Sequence, residues 1–347
     1  MDKHCADQLM ADGFRAAAKG DFGSALAIYA QVLEAYPEAD LAHYSLGQLL
    51  LADGIYPQGW TECEWRPAQT VFPPSFKRWQ GEPLANEAIL IAGEQGVGDN
   101  LQFVRYAPMV AARGGRVIVG AREGLGNLLS TVPGVEMVVE AGQPLPSLTH
   151  YIPMLSLPHV FATDEATIPN TVPYLRADPE RVEHWRKRLA WADDGPRVGV
   201  VWAGNGQFAG DERRSPGFDP FRILFQVPGV TFFSLQKGGG SKACIGGDTP
   251  MNLFDLGPEL TSFDDTAAVI MNLDLVISSC TSPVHLAGAL GKPVWVVLST
   301  FPDWRWLRHR EDSPWYPTAR LFRQKNEGDW NEVLLRVAQA LSRAFPL

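Results

Sequence analysis

Short apolar runs separated by polar, glycine-containing turns recur along most of the chain. One clear example has apolar runs at 273–277 and 294–298, with a polar corner and a helix-like stretch, 284–290, between them. Runs of this length that are rich in β-branched residues are typical of buried strands. Ser282 suits the N-cap of the helix, and Pro283 suits its first turn, where a missing N–H does no harm. The pattern therefore predicts a strand–helix–strand unit.

The same alternation continues on both sides of this unit. Further strands are predicted at 88–92, 116–119, 136–139, 197–203 and 231–235, and further helices at 101–113, 125–129, 179–189, 267–273 and 329–345. Strands that alternate with helices predict parallel sheets, with a ligand crevice at the carboxyl ends of the strands. A proline-containing stretch before the helix at 179–189 divides the series into two α/β domains, 86–180 and 181–325. The last part, 326–347, is expected to pack as a helix across both domains.

The first part of the chain has a different period. Small residues recur 34 residues apart, pairing Gly13 with Gly47, Gly20 with Gly54 and Ala25 with Gly59. This period is similar to that of the tetratricopeptide repeat, in which small residues let paired helices approach closely. An all-helical segment is therefore predicted over 1–72, followed by a connector at 73–85. The segment is either a docking surface for a protein or peptide, or a remnant that caps the next domain.

Two glycine-containing loops follow predicted strands. Gly96 and Gly98 match two glycines of the dinucleotide fingerprint, but the third is missing, so they are a weak signal for a nicotinamide cofactor. Asp99, directly after them, is interpreted either as a catalytic base or as a helix cap. Lys237 comes before three glycines and suits a pyrophosphate. The helix start at 281–284 is either an anion site or an ordinary capped crossover.

Composition narrows the classes of protein. The 347 residues include 46% hydrophobic and 20% charged residues, which is typical of a globular protein. A formal charge of −9 argues against a nucleic-acid binder. The four cysteines are scattered without a CxxC pair, so neither a zinc site nor a disulfide framework is expected. No signal peptide or bilayer-spanning run is visible, which predicts a cytoplasmic location with at most peripheral membrane contact.

Seven phrases carry a family resemblance. They are EQGVGDNLQFVRY at 94–106, RVGVVWAGN at 197–205, SLQKG at 234–238, DDTAAVI at 264–270, CTSPVHLAGALGKPVW at 280–295, PDWRW at 302–306 and DSPWYPTARLFRQ at 312–324. Together they resemble bacterial tetratricopeptide-repeat glycosyltransferases, related to the family 9 lipopolysaccharide heptosyltransferases and to O-linked GlcNAc transferase-like enzymes. The resemblance implies an α/β protein of the GT-B fold, with two Rossmann-like domains facing a cleft. It also implies a nucleoside-diphosphate sugar as donor, held by the second domain, with no metal and no cofactor.

The resemblance assigns roles to individual residues. Asp99 matches the general base of the family. The residues that match donor-binding positions are Gln236, Lys237, Asp265, Thr266, Cys280, Thr281, Ser282 and His285. Further cleft candidates are Gln95, Gly96, Gly98, Trp202, Asn205, Arg214 and Ser215.

The chain also departs from the family pattern. Cys280 stands where an aspartate is usual, Phe208 where a histidine is usual and Gly206 where a proline is usual. These changes bear on catalysis or sugar preference; Cys280 itself is expected to be a neutral, buried thiol. The expected function is metal-independent transfer of a hexosyl- or heptosyl-type sugar to a hydroxyl of a protein or glycan. The alternative is a degenerate GT-B scaffold that acts as a binding protein; an oxidoreductase and a non-hydrolysing sugar epimerase are minor alternatives.

Overall fold

A computed structural model describes residues 3–67, 76–192, 195–207, 210–238 and 249–346. The helices within these ranges are α1 Lys3–Ala18, α2 Phe22–Ala35, α3 Asp40–Ala52, α4 Tyr56–Cys63, α5 Val97–Phe103, α6 Ala107–Ala111, α7 Gly126–Ser130, α8 Leu157–Val160, α9 Pro179–Arg188, α10 Asp211–Arg214, α11 Phe218–Phe221, α12 Phe263–Met271, α13 Ser282–Ala289 and α14 Trp330–Ala344. The strands are β1 Lys77–Arg78, β2 Ala88–Ala92, β3 Arg116–Ala121, β4 Val135–Glu140, β5 His150–Pro153, β6 Arg197–Val201, β7 Thr231–Ser234, β8 Leu253–Asp255, β9 Leu275–Ser279, β10 Val294–Leu298 and β11 Ala319–Arg323.

The strands form two parallel sheets, as the alternating pattern predicted. The first sheet has the order β1-β5-β2-β3-β4 and the second the order β11-β10-β9-β6-β7-β8. All residues of β2 and β9 are buried, which explains their unbroken apolar or small sequences. The bounds predicted for β2 and β10 agree with the structure.

Each sheet contains one point at which the direction of winding reverses. In the first sheet the chain runs from β2 outward to β4 and then returns to the other side of β2 with β5; in the second it runs from β6 to β8 and returns beside β6 with β9. Ligands of open α/β sheets bind at the carboxyl ends of strands at such reversal points. The loops after β2, β6 and β9 are therefore the places to look for a site.

The helices α1 to α4 form two successive hairpins that repeat the same contacts. A Cβ on Gly13 would lie 2.5 Å from Tyr29 Cε1, and one on Gly47 would lie 2.8 Å from Cys63 Sγ. Both pairs are separated by 16 positions, and the two pairs lie 34 residues apart. The period seen in the sequence therefore corresponds to a repeated close approach of helices, while membership of the tetratricopeptide family stays a prediction.

The connection from β10 to β11, residues 299–318, leaves the second sheet and crosses to the other half of the molecule. We call it the crossing segment. Its Trp304 packs edge-on against Trp60 of α4, with ring centroids 5.2 Å apart. Trp315 packs edge-on against Phe103 of α5 at 5.9 Å. One continuous apolar core therefore includes α4, the first sheet and the inner face of the second sheet. This crossing was not predicted from the sequence.

The helix α14 does not bridge the two domains as expected. Its apolar stripe, which includes Trp330, Val333 and Leu341, lies entirely in a second core formed with β6, β7 and α11. A single stripe can cover only one surface, and here it covers the outer face of the second sheet. The crossing segment supplies the contact between the halves instead.

The predicted helix at 101–113 is also different in the structure. Helix α5 begins at Val97, four residues earlier, and a 3₁₀ turn at Val104–Tyr106 separates it from α6. Pro108 lies in the first turn of α6, where its missing N–H is tolerated, so it starts a new helix rather than continuing the old one.

Candidate active site

The loops after β2 and β9 meet where helices α5 and α13 pack against each other. Gly98 of α5 faces His285 of α13 so closely that a Cβ on Gly98 would lie 2.7 Å from His285 Cδ2. The absence of a side chain at Gly98 therefore allows the two helices to touch. This explains the second glycine of the loop by packing rather than by a dinucleotide.

Asp99 caps α5 and also forms an ion pair across the domains. Its Oδ2 accepts a hydrogen bond from the Gly96 N–H at 2.7 Å, and its Oδ1 accepts one from the Arg305 guanidinium. Its side chain is 16% exposed. Burial raises the pKa of Asp99, and the charge of Arg305 opposes that rise. The structure thus shows a capping contact, but from the third position of the helix and with Gly96 as the N-cap, whereas the role of Asp99 as a base stays a prediction.

Arg305 is the site residue that the assignment of roles missed. It lies in the crossing segment with only 7% of its side chain exposed. Its Nη1 donates to both carboxylate oxygens of Asp303, at 3.0 and 2.9 Å, and its Nε donates to Gln102 Oε1 at 2.5 Å. The PDWRW phrase contained this residue, but no local spacing rule connects it with Asp99.

The polar corner after β9 starts helix α13 one residue earlier than predicted. Thr281, not Ser282, is the N-cap, and Ser282 is the first helical residue. The Thr281 hydroxyl donates to the Ser279 carbonyl at 3.3 Å instead of capping the helix. The buried Ser279 hydroxyl has no hydrogen-bond partner among the described residues. Thr281 and Ser282 are partly exposed, so this corner is open to a ligand.

Cys280 is buried behind this corner. Its Sγ accepts a hydrogen bond from the Trp306 indole N–H at 3.0 Å. Burial raises the pKa of the Cys280 thiol to about 11. The expectation of a neutral, buried thiol is confirmed, since the start of the helix does not lower its pKa into the physiological range.

His285 belongs to the contact between the helices. Its Nδ1 forms a hydrogen bond with the Tyr316 hydroxyl at 2.9 Å, and its ring stacks on Trp306 with centroids 5.7 Å apart. Burial lowers the pKa of His285 well below its ordinary value. The side chain is therefore a neutral packing group between the domains, and not an exposed cation beside the donor corner.

Gln236 and Lys237 hold the carboxyl ends of β6 and β7 together. Gln236 Oε1 accepts from the N–H groups of Trp202 and Ala203 at 3.0 and 2.9 Å, and its Nε2 donates to the Ala203 and Lys237 carbonyls. Lys237 Nζ donates to the carbonyls of Gly257 and Leu260 at 2.9 and 2.6 Å. Gln236 is thus fully engaged by the backbone, and within the described ranges two of the three Nζ donors of Lys237 are used, which leaves the third for a ligand.

Asp265 and Thr266 are tied into the start of α12. Asp265 Oδ2 accepts from the Thr261 N–H at 3.1 Å and the Thr261 hydroxyl at 2.5 Å, and its Oδ1 accepts from Arg181 Nη1 at 2.7 Å. These bonds lower the pKa of Asp265 against the effect of burial. The Thr266 hydroxyl donates to the Ser262 carbonyl at 3.1 Å. The pair therefore organises a helix start.

The loop after β6 is folded around Asp211. Arg214 Nε donates to Asp211 Oδ1 at 2.8 Å, and the Ser215 hydroxyl donates to Asp211 Oδ2 at 2.8 Å. Asn205 Oδ1 accepts from the Gln207 N–H at 3.1 Å. Trp202 is not a cleft residue, because it is 1% exposed and packs edge-on against phenylalanines of the second core. Phe208 lies outside the described residues.

The glycine loop is anchored to the helical segment. Gln95 has a left-handed backbone, with φ of 57°, and its Nε2 donates to the Tyr44 hydroxyl of α3 at 3.3 Å. Its neighbour Glu94 binds the Arg66 guanidinium with both oxygens, at 2.7 and 2.9 Å. The helical hairpins thus help to position the loop that carries Asp99.

The predicted site residues therefore fall into three groups, of which one is Asp265 and Thr266 at the start of α12. Gln95, Gly96, Gly98 and Asp99 lie at the start of α5, and Cys280, Thr281, Ser282 and His285 lie at the start of α13. The two helices pack together, with Gly98 directly against His285. Gln236, Lys237, Trp202, Asn205, Arg214 and Ser215 gather at the carboxyl ends of β6 and β7. In the described part of the chain, no three His, Cys, Asp or Glu side chains are grouped as metal ligands would be. Of the helices in the described ranges, none combines the length and apolarity needed to cross a bilayer.

Two solved structures share the fold of the chain. E. coli ADP-heptose LPS heptosyltransferase II superposes with a TM-score of 0.51 and 13% identity, covering 74% of this chain and 98% of that one. A family 9 glycosyl transferase from Veillonella parvula superposes with a TM-score of 0.56 and 9% identity, covering 77% and 100%. The predicted GT-B fold is confirmed. No family model matches the chain.

A relative of known sequence matches over most of the chain. Protein FlbA of Caulobacter vibrioides is 30% identical in an alignment 335 residues long, and the alignment covers 87% of this chain and 55% of FlbA. The chain therefore spans about half the length of this relative.

Proposed function

We propose that this chain is a metal-independent glycosyltransferase that uses a nucleoside-diphosphate sugar. In this proposal a hexosyl- or heptosyl-type sugar is transferred to a hydroxyl of a protein or glycan acceptor. Support comes from the shared GT-B fold, since one similar structure is an ADP-heptose LPS heptosyltransferase and the other a family 9 glycosyl transferase.

The observation that carries the proposal is the meeting of α5 and α13 at the carboxyl ends of β2 and β9. It brings the partly exposed Asp99 carboxylate into the same junction as the hydroxyl-bearing start of an eight-residue helix. A carboxylate suits a proton acceptor, and the N-terminus of a helix suits a phosphate. The two halves of the molecule therefore contribute complementary chemistry to one place.

The transfer step follows from these groups. The acceptor oxygen forms a bond to the anomeric carbon while the bond from that carbon to the diphosphate oxygen breaks. Asp99 takes the proton of the acceptor hydroxyl, and the nucleoside diphosphate leaves with the bonding electron pair. A positioned general base contributes roughly 10²–10⁴-fold to such a step.

The negative charge that develops on the departing diphosphate would be stabilised by the second domain. The backbone N–H groups at the start of α13 and the remaining donor of Lys237 are the groups available for this. Lys237 lies in a loop at a strand end, where its two backbone contacts hold the ammonium in place.

The helical segment would dock the acceptor. A groove of about 890 Å³ lies between α1 and α3, with Met10, Phe14 and Val32 on its walls and Glu38 and Asp40 among its charged residues. A protein acceptor with an apolar side chain beside a basic one would fit these walls. Met10→Glu should reduce transfer to a protein acceptor and leave donor hydrolysis unchanged, whereas Met137→Glu, on an exposed position of β4, should change neither.

The first experiment tests the donor site. Thermal shift of the full chain with ADP, UDP, GDP and dTDP should reveal one nucleotide that raises the unfolding temperature, because a ligand stabilises the state that binds it. Lys237→Ala should abolish that shift. Lys292→Ala is the matched control, because Lys292 follows α13 at the opposite end and lies by the Met271 carbonyl.

The second experiment tests the chemistry. Release of nucleoside diphosphate from the matching nucleotide sugar is measured with and without acceptor, and again after treatment with a chelator. Asp99→Asn should keep nucleotide binding and lose transfer, and the chelator should have no effect. A wild-type chain that turns over none of the nucleotide sugars would contradict the proposal.

One observation favours a second candidate function, a catalytically degenerate scaffold that binds a partner. Asp99, Gln236, Lys237 and Asp265 all have structural contacts in place. A scaffold would show neither nucleotide binding nor transfer, and would still bind its partner after Asp99→Asn.

A further inference from the structure

We propose that Arg305 is the positioning residue of this site: its guanidinium fixes the Asp99 carboxylate in the charged form at the junction of the two domains. This inference rests on the proposed function, because Asp99 acts as a base only if a sugar is transferred.

The geometry of Arg305 is specific for this task. Three different groups hold its planar fork, with Nη1 on Asp303, Nε on Gln102 and Nη2 on Asp99. The guanidinium also lies over the Trp304 ring, 4.6 Å from its centroid. The guanidinium is planar and rigid, so the bonds of Nη1 to Asp303 and of Nε to Gln102 fix its orientation, and Nη2 then points toward Asp99.

The remaining lone pairs of Asp99 stay available for chemistry. Oδ1 accepts from Arg305 and Oδ2 from the Gly96 N–H. A carboxylate has about four lone-pair positions, so each oxygen retains one. Arg305 therefore holds the carboxylate without blocking it completely, and an acceptor hydroxyl can still approach the exposed part.

The surrounding charges explain why a cation is needed there. Glu94, in the glycine loop, and Asp303, in the crossing segment, both act to raise the pKa of Asp99, in the same direction as burial. Glu94 is itself paired with Arg66. Arg305 is the cation in direct contact with Asp99, and it is the largest influence that favours the charged carboxylate.

The chain offers a matched control for this role. Arg308 lies three residues further along the crossing segment and is nearly as buried, with 9% of its side chain exposed. It pairs with Asp53 of the helical segment and lies over the Phe22 ring, with no contact to Asp99 in the described structure. Arg308→Gln therefore removes a similar buried guanidinium at a distance from the site.

The test is a titration of Asp99 in the full chain by carboxyl ¹³C NMR, with Asp99→Asn to assign the signal. The wild-type carboxyl should titrate with a midpoint below pH 7. Arg305→Gln should raise that midpoint by about 1–3 pH units, the usual effect of losing an adjacent opposite charge. Arg308→Gln should leave it in place, and Arg305→Lys should restore most of the wild-type value.

An unchanged midpoint in Arg305→Gln would overturn the inference, and so would a wild-type Asp99 that is neutral at pH 7. If Arg305→Gln does not fold, the comparison of the wild-type chain with Arg305→Lys tests the inference instead. A midpoint of Asp99 that rises in Arg305→Lys would contradict a role based on the charge of the side chain. The transfer assay separates this inference from the proposed function. If the chain transfers a sugar, the acid limb of the pH profile of transfer should move in Arg305→Gln together with the NMR midpoint of Asp99. If the NMR midpoint shifts but the wild-type chain transfers no sugar, the inference about Arg305 stands and the proposed function fails.

Discussion

A methyl group at Gly98 tests whether the contact between α5 and α13 is as close as the structure shows. Gly98→Ala places a Cβ 2.7 Å from His285 Cδ2, about 0.8 Å short of an ordinary carbon–carbon contact of about 3.5 Å. The histidine ring cannot withdraw easily, because the Tyr316 hydroxyl and the Trp306 ring hold it on two sides. The helices must therefore separate to admit the methyl group.

The magnitude follows from two opposing effects. Overpacking of this kind costs about 1–3 kcal/mol, and replacing glycine by alanine inside a helix returns about 1 kcal/mol. We expect the free energy of unfolding to fall by up to about 2 kcal/mol for Gly98→Ala, as measured by urea denaturation. Gly23→Ala in α2 is the matched control, because no described atom beyond its chain neighbours and its own helix backbone lies within 4 Å of the Cβ position. It should be neutral or stabilising.

A double-mutant cycle identifies the cause. In a His285→Ala background the obstructing ring is gone, so Gly98→Ala should change sign and stabilise the chain by up to about 1 kcal/mol. If the penalty of Gly98→Ala persists in that background, or if Gly98→Ala is as harmless as Gly23→Ala, the close contact of α5 with α13 is refuted.

Three further predictions concern groups near the junction. Gln236→Ala should lower the free energy of unfolding, measured in urea, by at least about 2 kcal/mol, because it leaves two strand-end N–H groups without an acceptor. A loss below about 0.5 kcal/mol would contradict the role of Gln236 in holding the ends of β6 and β7 together. Cys280 should resist iodoacetamide at pH 7.5 while the exposed Cys5 reacts, since burial raises the pKa of Cys280 to about 11. Labelling is measured by mass spectrometry of the native chain, and equal labelling of the two cysteines would contradict the prediction. Burial lowers the pKa of His285, so the unfolded chain takes up a proton below about pH 6.5 that the folded chain does not, and the folded state loses stability as the pH falls. The unfolding temperature should therefore drop less between pH 7 and pH 5 in His285→Asn than in the wild type.

The parts of the fold that were predicted correctly are those with a purely local signal. The strands at 88–92 and 294–298 have the predicted bounds because both faces of each are largely buried, so that every residue is apolar or small. The start of α5 was placed too late, because the residues that begin it, Gly96 to Asp99, resemble a loop by composition. The start of α13 was displaced by one residue, since Thr281 and Ser282 are both good caps and only the backbone distinguishes them.

The site was predicted in position but not in its contacts. Asp99 and the corner at Thr281 were found because a glycine loop and a hydroxyl-rich helix start follow strands. Arg305 was missed because its partners Asp99 and Gln102 lie 206 and 203 residues away in the chain, beyond any spacing rule. The engagement of Lys237 by two carbonyls could not be predicted either, because the loop that supplies them is specified only by the folded second sheet.

The crossing segment has a consequence for the order in which the molecule can be made. Arg105 donates to the carbonyl of Trp315, which is 210 residues later, and Trp60 finds part of its apolar surroundings in Trp304. A chain grows from its N-terminus during translation, so the helical hairpins and the first sheet leave the ribosome long before these partners exist. Contacts of such long range also form slowly. The helical hairpins and the first sheet therefore keep Trp60 and Phe103 partly uncovered until Trp304 and Trp315 have been synthesised and have left the ribosome.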